Sequence, residues 1–168
     1  WSSDVCSSDL DFRARWIDAL AEIAPWAREA GVVLTIENFP GLASAFVTSG
    51  DYAEARQRVP DLKLTFDNGN AAGGEDPVAS FRACAADVVH IHLKDWTVRD
   101  TPVEGYREML DGRFFKPALI GEGDMPTAAC WKAFREAGYN GFINIEYEGS
   151  EIPAEEAMHR AVAYLRGL

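Results

Sequence analysis

This sequence has few cysteines and histidines, and it has fewer basic than acidic residues. Its three cysteines lie far apart and form no CxxC pair, which argues against a disulfide framework or a thiolate zinc site and indicates a reduced, cytoplasmic setting. The formal net charge is −11, and so acidic a surface repels phosphate backbones, so we expect no nucleic-acid binding. The sequence shows neither an apolar run long enough to span a bilayer nor a recognisable signal peptide, and it therefore predicts no membrane association.

The first ten residues differ in character from all that follow. Residues 1–10 repeat Ser-Ser-Asp, have no apolar period and precede an amphipathic segment, which is typical of translated adapter sequence. We therefore expect a non-native leader at 1–10. The other residues, 11–168, suit one domain, and a hydrophobic content of 48% allows a sizeable core.

Helix and strand patterns alternate along residues 11–168. Apolar spacing and end signals predict helices over residues 11–30, 49–59, 77–86, 126–137 and 153–165, with one or two further helical turns at Tyr106–Leu110. The first helix has its apolar stripe at Phe12, Trp16, Leu20, Ile23 and Ala27. The expected caps are Thr48 or Ser49 for the second helix, Asp76 for the third and Asp124 for the fourth. Strands are predicted over residues 32–39, 62–67, 88–95, 118–122 and 142–148. Such alternation implies a parallel sheet with right-handed crossovers.

Four of these strands have one apolar face and one face of small and ionisable residues. In the strand at 88–95, Ile91 and Leu93 alternate with His90, His92 and Lys94, because successive side chains point to opposite faces. A doubly wound sheet would be apolar on both faces. The pattern therefore favours an α/β barrel whose helices cover the apolar face and whose interior holds the ionisable one.

A residue able to bind a metal lies near the carboxyl end of each of these four strands. The four are Glu37, Asp67, His92 and Glu146. Active sites of (β/α)₈ barrels lie at this end, where side chains from separate strands converge. Three carboxylates and an imidazole suit one divalent ion, with Mn²⁺ or Mg²⁺ expected first and Co²⁺ or Zn²⁺ as alternatives.

The chain resembles the xylose isomerase-like TIM-barrel family, the group of sugar phosphate isomerases and epimerases. The matching segments are Thr35–Asn38, Phe66–Asn70, His90–Asp95, Gly121–Asp124 and Gly138–Glu146. The resemblance implies a (β/α)₈ barrel and one divalent ion held by Glu37, Asp67, His92 and Glu146. In the ketose 3-epimerases of the family the two glutamates are also the acid/base pair.

The sequence departs from the epimerase pattern at two places. Asn70 stands where the family often has histidine, and Val98 stands where an arginine is common, although Arg99 is adjacent. These departures concern the specific ketose 3-epimerase activity and leave the metal site unchanged. The residues expected to contact substrate are Asn70, Lys94, Trp96, Arg99 and Glu122, and those expected to support the ligands are Asn38, His90 and Asp95.

Two of these roles have alternatives. Trp96 either stacks on the apolar face of a sugar or anchors its loop, and Glu122 either points into the site or caps the next helix. The function expected is a metal-dependent isomerase or epimerase that acts on a sugar, a sugar phosphate or a keto-sugar through a metal-stabilised enediolate, with Glu37 and Glu146 moving the proton. An inosose-type dehydratase is the alternative within this scaffold. An endonuclease is disfavoured by the acidic charge and the three histidines.

The predicted barrel is incomplete. A (β/α)₈ barrel typically takes about 250 residues, and the five predicted strands correspond to strands 4–8, with strands 1–3 absent. Two exposed strand edges would favour self-association or a homo-oligomer. A catalytically inactive metal-binding fragment is therefore a further alternative.

Overall fold

The computed structural model describes the backbone of residues 3–168 and the side chains from Phe12 onward. The helices are α1 (Ser3–Glu29), α2 (Ser49–Arg58), α3 (Asn68–Ala71), α4 (Pro77–Cys84), α5 (Thr127–Glu136) and α6 (Ala154–Arg166). The strands are β1 (Thr35–Glu37), β2 (Lys63–Asp67), β3 (Val88–Leu93), β4 (Asp95–Arg99), β5 (Arg107–Glu108), β6 (Phe114–Ala118) and β7 (Ile143–Ile145). Residues 1 and 2 of the expected leader lie outside the described residues, and that expectation stays a prediction.

Four strands form one parallel sheet in the order β1-β2-β3-β7. Asp67 pairs with His92 across β2 and β3, and Ile91 pairs with Ile143 across β3 and β7. The parallel α/β architecture is therefore confirmed, but the described residues give this sheet four strands rather than five. Residues 119–122 form a turn instead of the predicted strand, so β3 pairs directly with β7.

The helices cover the apolar face of the sheet, as the strand pattern predicts. Phe66 of β2 packs edge to face against Phe81 of α4 and Phe134 of α5, with ring centroids 5.4 and 6.2 Å apart. Leu64, Phe66, Ile91 and Leu93 are fully buried in the same core. This packing holds the strands in register and so fixes the relative positions of the side chains on the opposite face.

A second, antiparallel sheet occupies the segment that looked least regular in the sequence. Its order is β4-β6-β5, and we call the whole of Asp95–Ala118 the arm. The helical turns predicted at Tyr106–Leu110 are wrong, because Arg107 and Glu108 pair with Phe115 and Phe114 of β6. Within the arm, Trp96, Met109 and Phe115 form a small core of their own together with Ala72.

The buried face of α1 overlaps only partly with the predicted apolar stripe. Leu20 of that stripe is buried, whereas Phe12, Trp16 and Ile23 are exposed. Ile17 and Ala24 face the core beside Leu20. The aromatic residues misled the pattern because a spacing of three or four is satisfied equally well by two overlapping faces.

Two of the predicted helix starts are confirmed and one is wrong. Thr48 and Asp51 form a capping box at the start of α2, and Asp76 caps α4 ahead of Pro77. Asp124 was expected to cap the next helix, but its carboxylate accepts the backbone N–H of Val98 at 2.7 Å. That bond ties the turn before α5 to the arm.

The outer strands β1 and β7 are the two edges of the parallel sheet. Phe142, next to β7, is 82% exposed, and Phe39, beyond β1, is also exposed. Edges of this kind favour pairing with another chain, and self-association remains a prediction. No helix in the described part of the chain is long and apolar enough to cross a membrane.

Candidate metal centre

The four residues predicted as metal ligands meet at the carboxyl end of the parallel sheet. Glu37 ends β1, Asp67 ends β2, His92 lies in β3 and Glu146 follows β7. One donor atom from each residue lies within 4.8 Å of the donor atoms of the other three. Parallel strands place their carboxyl ends at one edge, and register pairing brings these side chains to one level.

The imidazole of His92 lies between the two glutamates. Its Nδ1 is 3.1 Å from Glu37 Oε1 and 2.9 Å from Glu146 Oε1. The glutamates belong to the two outer strands, so they approach the centre of the group from opposite flanks. This arrangement suits a metal ligand and also suits two carboxylates that act on two sides of one bound molecule.

Asp67 is the most deeply buried member of the group. Asn38 bridges to its backbone, since Asn38 Nδ2 donates to the carbonyl and the Asp67 N–H donates to Asn38 Oδ1, both at 2.8 Å. The N–H of Asn70 donates to Asp67 Oδ1 at 2.7 Å. Asp67 Oδ2 is buried, and its charged partner among the described residues is Lys94 Nζ, 3.2 Å away.

The protonation of Asp67 follows from this burial. Burial raises the pKa of Asp67 to about 8, against the lowering effects of Lys94 and of the Asn70 N–H. A buried carboxylate is costly unless a proton or a cation reaches it. Lys94 offsets only part of that cost, because the pKa of Asp67 stays raised. The donor set and this buried carboxylate therefore both fit a divalent cation.

Lys94 is a buried cation surrounded by carboxylates. Its Nζ lies 2.7 Å from Glu146 Oε2, 2.8 Å from Glu148 Oε1 and 3.2 Å from Asp67 Oδ2. Burial by itself would lower the pKa of Lys94, but these carboxylates raise it overall. Lys94 therefore stays charged and holds one oxygen of Glu146 while the other oxygen faces His92.

Two residues beside this group, Glu148 and Arg107, were not predicted from the sequence. Glu148 accepts from Lys94 through Oε1 and from Arg107 Nη2 through Oε2, the latter at 2.7 Å. Burial would raise the pKa of Glu148, but hydrogen bonds from Lys94 and Arg107 lower it overall. Glu148 follows Glu146 by two residues, and that spacing was the available signal. Arg107 lies in the arm and gave no such signal.

Asn70, a predicted substrate contact, lies inside the ligand group. It is fully buried, and its Nδ2 donates to Glu37 Oε1 at 3.3 Å. Its Oδ1 has no hydrogen-bond partner among the described residues. Because Asn70 is fully buried, it supports Glu37 from behind and is not open to a bound molecule.

Three further predicted substrate contacts do not fit the structure. Trp96 of the arm is completely buried, so its ring is not open to stack on a sugar. Its burial favours the alternative that it anchors its loop. Arg99 lies over the ring of Tyr106 and 3.7 Å from Asp124, away from the ligand group. Glu122 is exposed and pairs with Arg160 of α6.

The remaining supporting residues act at different places. His90 contacts His92 edge to face at 5.2 Å between ring centroids, one layer deeper in the sheet. Asp95 does not contact the four ligands, contrary to the expectation that it supports one. It is buried and accepts backbone N–H bonds from Trp96, Gly121, Gly123 and Met125. Burial raises the pKa of Asp95, and these hydrogen bonds oppose that effect. The bonds from Gly121, Gly123 and Met125 also hold the turn before α5 against the arm.

Comparisons with known proteins agree with this fold. The family model described as xylose isomerase-like TIM barrel matches residues 2–168. An inosose dehydratase of Lacticaseibacillus casei is 27% identical over 142 residues, which cover 80% of this chain and 46% of that protein. A xylose isomerase domain protein from Planctomyces limnophilus has a TM-score of 0.70 at 22% identity, covering 92% of this chain and 51% of that one.

A further solved structure extends the comparison to an epimerase. The 3-keto-D-glucoside 4-epimerase of E. coli has a TM-score of 0.70 at 18% identity, over 93% of this chain and 54% of that one. At such low identity the two structural similarities establish the fold alone. The chain spans about half the length of each of these relatives.

Proposed function

The chain belongs to the xylose isomerase-like TIM-barrel family, and we propose that it carries the metal centre of an enzyme that moves a proton next to a carbonyl group of a small carbohydrate. The observation that carries this proposal is the group of donor atoms from four adjacent parallel strands, all within 4.8 Å of one another. Three carboxylates and one imidazole favour Mn²⁺ or Mg²⁺, with Co²⁺ or Zn²⁺ as alternatives.

Glu37, Asp67, His92 and Glu146 would hold the ion. When bound, a divalent ion polarises a carbonyl oxygen and stabilises the negative charge that develops as the neighbouring carbon loses its proton. Asp67 and His92, on the two central strands, are the less exposed members of the set and serve to bind the ion.

The two glutamates are placed for proton transfer. Glu37 and Glu146 are the more exposed ligands, with about a third of each side chain exposed, and they approach from the two outer strands. One can remove a proton from one face of a bound sugar and the other can return it on the opposite face, which is epimerisation. Such transfer is worth roughly 10²–10⁴-fold in rate.

A dehydratase is the second candidate, because the Lacticaseibacillus casei protein that is 27% identical to this chain is an inosose dehydratase. Dehydration begins with the same proton removal and then expels a hydroxyl group. Proton exchange from the carbon next to the carbonyl, followed by NMR in D₂O, tests the step that both reactions share. The product distinguishes them, since epimerisation conserves the mass of the sugar and dehydration removes one water.

Metal titration tests the centre itself. We expect one Mn²⁺ to bind per chain and Glu146→Gln to weaken that binding at least tenfold, because the variant loses one charged ligand. Glu122→Gln is the matched control, since Glu122 pairs with Arg160 away from the site. Unaltered Mn²⁺ affinity in Glu146→Gln would overturn the assignment. Proton exchange is then screened with ketoses, inososes and hydroxypyruvate, in this chain and in a version extended to the length of its relatives.

A further inference from the structure

The rim of the metal centre holds an arginine that comes from the arm. We propose that Arg107 is a specificity-determining residue, which Glu148 holds at the rim so that its guanidinium donates hydrogen bonds to the hydroxyl groups of an uncharged sugar. This inference rests on the proposed function, because it concerns the molecule that the metal centre would act on.

The position of Arg107 follows from Glu148. The carboxylates of Glu146 and Glu148 both reach Lys94 Nζ, at 2.7 and 2.8 Å. Glu148 is therefore a neighbour of the predicted metal ligands, and its second oxygen accepts from Arg107 Nη2 at 2.7 Å. A single carboxylate thus separates Arg107 from Lys94.

Arg107 is oriented as well as placed. Its Cζ lies 5.0 Å from the centre of the buried Trp96 ring, and this contact and the carboxylate together fix the plane of the guanidinium. About half of the side chain is exposed. An arginine has five N–H donors, and the one salt bridge of Arg107 among the described residues is with Glu148, so donors remain for a ligand.

The charged groups around Lys94 and Arg107 favour an uncharged ligand. Two cations and four carboxylates meet here: Lys94, Arg107, Glu37, Asp67, Glu146 and Glu148. With one divalent ion bound, the positive and negative charges of this group balance. A phosphate or carboxylate on the substrate would add an unbalanced negative charge beside Glu148, whereas a hydroxyl group accepts an N–H bond without displacing Glu148.

The test compares Arg107→Gln with Arg99→Gln. Both arginines lie in the arm, over an aromatic ring and near a carboxylate, but Arg99 contacts Tyr106 and Asp124 instead of Glu148. Binding of a panel of uncharged ketoses and inososes, and of their phosphates, is measured by calorimetry on the Mn²⁺-loaded protein. We expect Arg107→Gln to weaken binding of the best uncharged sugar roughly tenfold to a hundredfold. Its Mn²⁺ affinity should stay within about twofold of the wild type, and Arg99→Gln should change neither value.

Each other outcome has a defined meaning. If the wild type binds the phosphates more tightly, or binds no uncharged member of the panel, the inference is overturned while the metal centre stands. Equal effects of the two variants, or no effect of Arg107→Gln, overturn it in the same way. If the wild type binds no Mn²⁺, the proposed function itself fails. Thermal unfolding of both variants identifies a loss of binding that arises only from misfolding.

Discussion

Binding of a divalent ion to the metal-free protein should release a proton from Asp67. Burial raises the pKa of this carboxyl to about 8, and only the ionised form is a metal ligand. At pH 7 about nine-tenths of the metal-free protein therefore carries a proton on Asp67. The proton must leave when the ion arrives.

The size of the effect follows from that pKa. Because the ionised fraction of Asp67 rises from about a tenth at pH 7 to about nine-tenths at pH 9, the affinity for the ion should rise about tenfold over this range and then level off. The stability of the metal-free protein should change in the opposite direction. The folded state holds its proton up to about pH 8, whereas the unfolded chain loses it near pH 4. Asp67 therefore makes stability fall by roughly 1 kcal/mol per pH unit between these values.

Calorimetric titration with Mn²⁺ under argon, in two buffers of different ionisation enthalpy, counts the protons released. We expect close to one proton per ion at pH 7 and close to none at pH 9. In Lys94→Met the affinity should level off at a higher pH, because the cation that lowers the pKa of Asp67 is gone. An affinity independent of pH between 7 and 9, with no proton released, would refute the reasoning.

Two further predictions concern packing around the site. A Cβ at Gly69 would lie 2.4 Å from Lys94 Cγ, so Gly69→Ala should lower the free energy of unfolding by about 1–3 kcal/mol in urea denaturation. Gly50→Ala in α2, whose Cβ would meet nothing closer than 3.6 Å, is the control. It should be neutral or stabilising by up to about 1 kcal/mol, because alanine is favoured over glycine in a helix. Tyr52→Phe removes a buried hydroxyl that donates to the Leu62 carbonyl at 2.9 Å and should cost about 1–3 kcal/mol, and an unchanged urea midpoint would contradict this.

Strand periodicity was sufficient to predict the parallel sheet and its two faces. Leu64, Phe66 and Ile91 are buried because the alternation of side chains is a local property that the sheet preserves. The ends were less predictable: the strand expected at 32–39 is only Thr35–Glu37. Its outer residues, Val32 and Val33, are exposed in the structure, and periodicity alone does not reveal where a neighbouring strand stops offering hydrogen bonds.

The four predicted metal ligands could be grouped from the sequence because each lies at or next to the carboxyl end of a strand, and the strands impose the geometry. The arm could not be predicted in this way. Its strands are short, and β5 has only two residues, too few to show a period. Gly105 and Gly112, both with positive φ, turn the chain between these strands, and the resulting antiparallel pairing depends on contacts that only the folded chain supplies.

Lys94 shows the same difference between a position on a strand and the contacts made in the folded chain. The sequence assigned it to substrate binding, whereas the structure gives it three carboxylate partners. Its place at the carboxyl end of β3 was correctly predicted, although β3 itself ends at Leu93. The partners depend on which charges the neighbouring elements bring to that level. Glu148 arrives there from the segment after β7, and Arg107 reaches Glu148 because the arm folds back so that Arg107 lies over Trp96. With Glu148 present, Lys94 is already engaged by protein carboxylates on the described wall of the site. A phosphate would have to displace one of these carboxylates to bind Lys94. Under the proposed function we therefore expect Lys94 to position Glu146 for the ion, and residues with free donors to contact the substrate.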